Sequence, residues 1–222
     1  PARNAPIFGQ KQFDPSRERA CTSIAAQLDA MAQLVRAGKI RYVGVSNETP
    51  WGIAEFVKQA ELHGLPRIAT VQNPYNLVNR SFEQGLDEAC YRTGVSLLIY
   101  SPLAFGQLTG KYLRADALQP TFDPSAPGRL TRFPADWSPR YMRPETLAAS
   151  ARYVELARAH GLSPATLALA WCYSRWFAHS TIIGATTLAQ LQENIDAWGV
   201  QLPEEVLAGI ERIHAEIHNP AQ

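Results

Sequence analysis

The sequence predicts an α/β fold in which helices cover a parallel sheet. Three observations support this prediction. Short apolar segments alternate with stretches whose apolar residues recur every three or four positions, which is the spacing of an amphipathic helix. The short segments are apolar throughout, as is typical of strands that are buried on both faces of a parallel sheet. Each segment ends in polar side chains, and parallel α/β folds bind ligands at the carboxyl ends of their strands.

The first half of the chain alternates between predicted helices and strands. A polar loop over 1–21, which contains three prolines, leads into a helix that Thr22 or Ser23 caps and that ends before Gly38. Pro50 suits the first turn of the next helix. The predicted helices here cover 22–37, 50–63 and 81–93, and the predicted strands cover 41–47, 68–75 and 95–103.

The second half opens on a long segment with little periodicity. Residues 104–143 are rich in Gly, Pro and Arg, and connections of this length are usually functional or mobile. A fourth apolar strand is predicted at 180–185, and Ser163 followed by Pro164 is a cap and first-turn pair. The predicted helices beyond the long segment cover 144–160, 163–176, 186–195 and 203–217.

Composition and charge exclude several classes of protein. The 222 residues are 46% hydrophobic and 18% charged, which indicates one globular domain over 1–222. The net charge is +1, so no nucleic-acid or membrane-surface partner is expected. No apolar run is long enough for a membrane span, and no signal-peptide pattern is present. The three widely spaced cysteines favour buried, reduced thiols in a cytoplasmic chain and no disulfide framework.

A missing motif and the number of strands narrow the choice among α/β architectures. No strand is followed by the GxGxxG pattern, which disfavours a dinucleotide-binding Rossmann unit. A closed barrel of eight strands typically takes ~250 residues, whereas the periodicity here indicates four strands. The sequence therefore predicts about half of a barrel.

Four sequence blocks resemble the aldo-keto reductase superfamily. They are RYVGVSN, VQNPYN, IYSPLAFGQLTGKY and IIGATTLAQLQEN, in this order, and the resemblance covers nearly all of 22–217. It is strongest toward the bacterial NADP(H)-dependent members and the potassium-channel β-subunit branch. The resemblance implies a (β/α)₈ TIM barrel, of which this chain supplies the C-terminal portion, strands five to eight and their helices.

The resemblance implies that the strand ends hold a nicotinamide ring. Ser46, Asn47 and Gln72 match the residues that bind its carboxamide, and their donors and acceptors suit that group. Tyr100 matches the aromatic residue that stacks on the ring. A purely structural alternative is that Ser46 and Asn47 cap the helix that follows them.

The resemblance also assigns residues to the phosphates and the adenosine of NADP(H). Backbone amides near glycines and a lysine ammonium suit the pyrophosphate, and the matching residues are Ser101, Pro102, Leu103, Gly106, Leu108 and Lys111. Arg129 matches an arginine directed at the cofactor phosphates. The positions that match the 2′-phosphate and adenine site are Gly184, Thr186, Gln190, Glu193 and Asn194. The chain lacks the Lys-Ser…Arg set of many relatives there, and a polar helix face is the alternative for the last three.

The resemblance provides no catalytic residues in this chain. The superfamily uses an Asp, Tyr, Lys and His tetrad from the first half of the barrel, and none of those blocks is present. Pro1 matches a proline just past the catalytic histidine. We therefore expect NADP(H)-dependent reduction of a small-molecule aldehyde or ketone, with this chain carrying the cofactor half and no metal. The missing N-terminal barrel half, or a homo-oligomer, is the expected partner. The alternatives are a non-catalytic nicotinamide-binding regulatory protein and an inactive fragment.

Overall fold

The structure is a computed structural model that describes residues 13–114, 119–133, 136 and 138–222. Pro1 and the first part of the loop predicted over 1–21 lie outside the described residues. The chain forms two compact units. The first comprises residues up to Pro74, Phe82–Ile99 and Trp176–Ser180, and the second comprises Tyr75–Ser81, Tyr100–Arg175 and Thr181–Gln222.

Helices and strands alternate strictly as far as residue 100, and the alternation is irregular in the described residues beyond it. The helices are α1 (Ile24–Arg36), α2 (Pro50–His63), α3 (Leu86–Thr93), α4 (Arg129–Arg132), α5 (Pro144–Ala159), α6 (Pro164–Tyr173), α7 (Leu188–Asp196) and α8 (Glu204–Glu216). The strands are β1 (Val43–Ser46), β2 (Ile68–Pro74), β3 (Ser96–Tyr100), β4 (Leu113–Arg114), β5 (Thr121–Phe122) and β6 (Ala178–Thr181).

The main sheet has four strands in the order β1-β2-β3-β6, and β1 runs parallel to β2. Apart from the last residues of β3 and β6, this sheet belongs to the first unit. The expectation that every strand is buried on both faces is wrong for β1, where Val43 is buried but Gly44 and Ser46 are exposed, and for β6, where His179 and Ser180 are exposed. An edge strand has a neighbour on one side only, so apolar composition alone does not ensure its burial.

Two further predictions differ from the structure. The fourth main strand lies at β6, Ala178–Thr181, so the prediction of 180–185 is displaced toward the C-terminus. Strand ends depend on the length of the hydrogen-bonded neighbour, which an apolar run does not reveal. The helix predicted at 81–93 is a 3₁₀ turn at Ser81–Glu83 followed by α3, because Gly85 adopts a φ of +100° between them.

The first unit packs its helices around α2. This helix contacts both α1 and α3, and it buries Ile53, Phe56 and Val57. Thr49 caps α2 by accepting a hydrogen bond from the Gly52 amide at 3.1 Å. The apolar stripe that the sequence shows at helical spacing therefore forms the interior of this unit.

The second unit is built on α5, which contacts α6 and α8. Trp171 of α6 is fully buried and stacks on Tyr75, with ring centroids 5.0 Å apart and ring planes 9° apart. The Arg80 guanidinium lies 5.1 Å from the Trp171 ring centroid and pairs with Glu211 of α8 at 2.9 Å. Aromatic stacking and this ion pair thus tie residues 75–80 to α6 and α8.

The cysteines divide by environment. Cys90 and Cys172 are buried free thiols, as expected, whereas Cys21 is exposed, so the prediction of a buried thiol is wrong there. Burial raises the pKa of the Cys90 thiol to about 11 and raises the pKa of the Cys172 thiol further. Both thiols are therefore neutral at physiological pH and behave as small apolar side chains.

None of the helices among the described residues combines the length and the apolar character needed to cross a lipid bilayer.

Candidate functional site

The ends of β1 and β2 place two predicted site residues opposite each other. Ser46 and Gln72 are partners in the parallel ladder, so their side chains extend from the same face of the sheet. The Ser46 hydroxyl donates to the main-chain carbonyl of Gln72 at 2.9 Å, and the main-chain amide of Asn47 donates to the same oxygen at 3.0 Å. The structure therefore brings Ser46, Asn47 and Gln72 together in the first unit.

The Gln72 side chain offers unused hydrogen-bonding capacity. Its amide is half-buried, and it makes no hydrogen bond with any residue in the described part of the chain. An amide presents two donors and an acceptor, which complement a carboxamide. A partly buried polar group without a partner indicates a place where water or a ligand binds.

Backbone geometry at Asn47 also marks this strand end. Asn47 adopts a φ of 52°, a left-handed conformation that costs little for asparagine and that other side chains adopt rarely. The chain therefore makes a sharp turn immediately after β1. Gly44, on the same face as Ser46, allows β2 to approach closely, because a Cβ at this position would lie 2.4 Å from the Thr70 hydroxyl oxygen.

The capping alternative for Ser46 and Asn47 is wrong, because Thr49 is the N-cap of α2. A buried asparagine of β2 stabilises this turn. Asn73 is buried, its side-chain oxygen accepts from the Glu48 amide at 3.2 Å, and its side-chain nitrogen donates to the Glu48 carbonyl at 3.2 Å. The VQNPYN block contained this signal, since an asparagine beside a strand end often bonds to backbone.

Tyr100 ends β3 and lies in the second unit. Burial raises the pKa of its phenol to about 12, and the charge and hydrogen bond of the neighbouring Arg140 guanidinium oppose that rise. The phenol is therefore neutral at physiological pH. The next residue, Ser101, has a φ of 56°, and its carbonyl accepts a hydrogen bond from the Asn76 side chain at 3.0 Å. Asn76 thus has a role at β3 that resembles that of Asn73 at β1.

The residues after Ser101 form two 3₁₀ turns, Ala104–Thr109, separated by a kink. Phe105 and Gly106 adopt φ values of 58° and 93° at the kink. The Gly106 and Leu108 amides both donate to the Leu103 carbonyl, at 2.8 and 3.3 Å, and the Leu108 side chain is buried. Those two amides stabilise the segment itself, so a phosphate here needs other donors. Pro102 beside them is also buried.

Two cations lie next to this kinked segment. Lys111 is exposed, and its ammonium lies 4.9 Å from the Tyr112 ring centroid. The Arg129 guanidinium lies 4.5 Å from the Phe105 ring centroid, which places α4 against the kink. The structure therefore brings the predicted phosphate residues Lys111, Gly106 and Arg129 close to one another within the second unit.

The predicted adenosine residues build the turn before α7. The Asn194 side chain donates to the Gly184 carbonyl at 3.1 Å, and the Gln190 side chain accepts from the Thr186 amide at 2.9 Å. Glu193 has a different partner, because its carboxylate accepts a hydrogen bond from the Ser163 hydroxyl at 2.5 Å. Four of the five residues thus form two hydrogen-bonded pairs, and Glu193 stabilises the start of α6.

Within the described residues, no group of three or more His, Cys, Asp and Glu side chains is arranged to hold a metal ion.

Comparison with known proteins assigns the family. The model of the Aldo/keto reductase family matches residues 7–215 of the 222. The chain belongs to the aldo/keto reductase family. The resemblance drawn from the four sequence blocks is confirmed by this match, and so is an α/β fold with a parallel sheet.

Relatives in this family differ widely in similarity. The chain is 46% identical over 221 residues to Protein tas of Escherichia coli (strain K12), covering 100% of this chain and 61% of that protein. It is 44% identical over 173 residues to an aldo-keto reductase of Babesia bovis, covering 76% of this chain and 58% of that protein. It is 30% identical over 190 residues to a putative aryl-alcohol dehydrogenase of Schizosaccharomyces pombe, covering 85% of this chain and 54% of that protein. The chain thus spans little more than half the length of these aldo/keto reductase relatives.

Proposed function

We propose that this aldo/keto reductase catalyses NADP(H)-dependent reduction of aldehydes or ketones and that this chain carries the cofactor-binding part. The observation that carries the proposal is the cluster of Ser46, Asn47 and Gln72 at the carboxyl ends of two parallel strands. Its central amide, that of Gln72, has no partner among the described residues. Bound there, the nicotinamide supplies the hydride that reduces the carbonyl.

The chain's own residues bind and orient the ring. The Gln72 amide complements a carboxamide, and the Ser46 hydroxyl, whose hydrogen is donated to the Gln72 carbonyl, retains lone pairs as acceptors. Two such contacts determine which face of the ring is presented for transfer. Tyr100, the residue that the resemblance assigns to ring stacking, has a neutral phenol because burial raises its pKa.

The phosphates are proposed to bind in the second unit. Lys111 and Arg129 supply positive charge beside Gly106, which suits phosphate groups. Gln190 and Asn194 of α7 bond to Thr186 and Gly184 just before the helix, and the amides at the α7 N-terminus suit the 2′-phosphate. No cation matches the family's Lys and Arg positions there, so this chain's preference for NADPH over NADH depends on those amides. Glu193, which the resemblance also assigns to this site, accepts a hydrogen bond from Ser163 and stabilises the start of α6.

We further propose that the four-stranded sheet forms strands five to eight of a (β/α)₈ barrel. Within the part of the chain that the structure describes, two of its strands, β1 and β6, are paired on one side only. On α7, Leu188, Leu191 and Ile195 share one helix face and are 86%, 39% and 53% exposed. Exposed apolar stripes of this kind mark an interface, and the remaining part of the barrel, or a second copy of the chain, is the proposed partner.

The cofactor proposal is tested by binding, because binding does not require the catalytic tetrad. NADPH is titrated into the intact protein while tryptophan fluorescence is followed, and Gln72→Leu is compared with wild type. We expect the Kd to rise by about tenfold or more, since a buried polar contact with the carboxamide is lost. Gln33→Met, on an exposed part of α1, is the matched control and should leave the Kd within twofold. Equal Kd values for Gln72→Leu and wild type would refute the carboxamide site.

A second candidate is a non-catalytic protein that binds nicotinamide cofactors. The observation that favours it is the chemistry of the assembled cluster, in which Ser46, Asn47 and Gln72 are binding groups without acid–base capacity at neutral pH. NADPH oxidation at 340 nm with a panel of aldehydes and ketones separates the two candidates. Turnover with any substrate supports the reductase, and tight binding without turnover supports the binding protein. The free thiols of Cys21, Cys90 and Cys172 support a reducing, cytoplasmic compartment for either one.

A further inference from the structure

A buried phenol ties together two parts of the long segment between β3 and α5. Tyr112 is fully buried, and its hydroxyl accepts a hydrogen bond from the Leu130 amide of α4 at 3.1 Å. Its ring packs on Phe122 of β5, with centroids 5.6 Å apart and planes 28° apart. The hydroxyl therefore holds the start of α4, which is a helix of four residues with little stability of its own.

Gly128 allows this contact. A Cβ at Gly128 would lie 2.1 Å from the Tyr112 hydroxyl oxygen and 2.7 Å from the Lys111 ammonium nitrogen. The backbone therefore passes directly over both side-chain ends, at a distance that any other residue would prevent. The φ of Gly128 is 163°, which is extended backbone, so close approach is the reason that glycine is needed.

The same contact determines where the two cations lie. Arg129 is the residue between Gly128 and Leu130, and its guanidinium lies 4.5 Å from the ring centroid of Phe105 at the kink. On the other side, the side chain of Lys111 lies beside Gly106, since a Cβ there would be 3.0 Å from the Lys111 Cε. Lys111 forms no ion pair with a carboxylate in the described ranges. Both charges therefore lie around the same kinked backbone.

We propose that Tyr112 is a positioning residue. Its hydroxyl accepts a hydrogen bond from the Leu130 amide, holds α4 against the kinked segment and thereby holds Arg129 beside Lys111 for a phosphate-bearing ligand. We call this Leu130–Tyr112 hydrogen bond the latch. The inference rests on the proposed function, because the ligand is the pyrophosphate of NADP(H). A guanidinium and an ammonium on either side of one short segment match two adjacent phosphate groups. Opening of the latch separates the two charges, so cofactor release requires the Leu130–Tyr112 hydrogen bond to break.

The first test measures the latch without cofactor. Hydrogen exchange of the peptide that contains the Leu130 amide is compared in wild type and Tyr112→Phe, which keeps the ring and removes the acceptor. We expect exchange to be about tenfold faster, the effect of one ordinary hydrogen bond to a buried amide. Tyr153→Phe is the matched control, because the charges that act on its hydroxyl belong to Arg80, Glu211 and Arg152. It should leave Leu130 exchange unchanged.

The second test measures the consequence for the ligand. The dissociation rate of NADPH from the intact protein is followed by stopped-flow fluorescence. We expect Tyr112→Phe to raise this rate by about tenfold, with little change in association, while Tyr153→Phe leaves both rates unchanged. Gly128→Ala displaces the same hydroxyl by steric contact and should shift both measurements in the same direction. Agreement between the two variants separates the latch from a simple loss of stability.

The outcomes distinguish the latch from the proposed function. Unchanged Leu130 exchange in Tyr112→Phe overturns the latch whether or not NADPH binds. Faster exchange with an unchanged NADPH dissociation rate overturns the positioning role and leaves cofactor binding intact. Absence of NADPH binding to wild type refutes the proposed function and, with it, the assignment of the ligand, while the exchange result still decides whether Tyr112 holds α4.

Discussion

The turn after β1 depends on a single buried asparagine. The Asn73 side chain is 7% exposed and forms two hydrogen bonds of 3.2 Å, one from the amide and one to the carbonyl of Glu48. Glu48 follows Asn47, whose left-handed conformation directs the chain away from the sheet. The Asn73→Ala variant therefore removes both bonds that hold this turn in place.

The loss of stability in Asn73→Ala can be calculated from the two hydrogen bonds and from their burial. Each hydrogen bond contributes about 1 kcal/mol, and a buried backbone group that loses a partner adds a further penalty. We therefore expect Asn73→Ala to lower the free energy of unfolding by about 2–4 kcal/mol. The NADPH Kd should also rise by about fivefold or more, because the turn carries Asn47.

An isosteric variant tests the direction of each bond. At pH 7 the carboxylate of Asn73→Asp accepts from the Glu48 amide but faces the Glu48 carbonyl without a proton to donate. Burial and that carbonyl raise the carboxyl pKa, so the protonated form, which donates, is favoured as the pH falls. Relative to wild type, Asn73→Asp should therefore recover stability between pH 7 and pH 5, whereas Asn73→Ala should not.

Guanidinium-induced unfolding at each pH measures both variants. Gln33→Ala is the control, because it removes an exposed hydrogen bond to Asp29 and should cost less than about 0.5 kcal/mol. A free energy of unfolding for Asn73→Ala within 0.5 kcal/mol of wild type would show that this bond pair does not hold the turn.

Three further changes test the packing around the site. Gly44→Ala places a methyl group 2.4 Å from the Thr70 hydroxyl oxygen, so it should cost about 1–3 kcal/mol in denaturant unfolding, and adding Thr70→Ala should recover most of that loss; no recovery would contradict the contact. Ser163→Ala removes the N-cap of α6 and the partner of Glu193, and calorimetry should show a loss of about 1–2 kcal/mol, with a smaller loss arguing against the cap. The pKa of Cys90 is about 11 in the folded protein against an ordinary 9.0, so stability falls as the pH rises from 9 to 11, and Cys90→Ala should reduce that fall by about 1–2 kcal/mol. Identical pH profiles for the variant and wild type would exclude this thiol as a cause.

Local sequence signals predicted most of the helices. Ser23 caps α1, Ser163 caps α6, and Gly38 adopts a φ of +69° after α1, as their positions in the sequence indicated. These signals work because a cap or a left-handed glycine acts on backbone groups within a few residues. The displaced fourth strand shows the limit, since the end of β6 depends on hydrogen bonds to a segment far away in sequence.

The long segment was predicted as a loop for the same local reason. It lacks periodicity, yet the structure places short elements in it, including β4, β5 and α4. Tyr112 ties two of these elements together, because its hydroxyl contacts Leu130 of α4 and its ring contacts Phe122 of β5, ten and more residues away. Neither the helix or strand propensity of a residue nor the spacing of apolar residues reveals contacts between segments this far apart in sequence.

The polar residues at the strand ends separate what the amino-acid order dictates from what folding adds. The order alone placed Ser46, Asn47, Gln72 and Asn73 at the ends of apolar strands, in blocks that match a family. It did not distinguish Gln72, whose amide has no partner among the described residues, from Asn73, whose amide is used by Glu48 at a separation of 25 residues. Strand register determines that difference, because a parallel ladder decides which neighbouring side chains share a face and which backbone groups they reach.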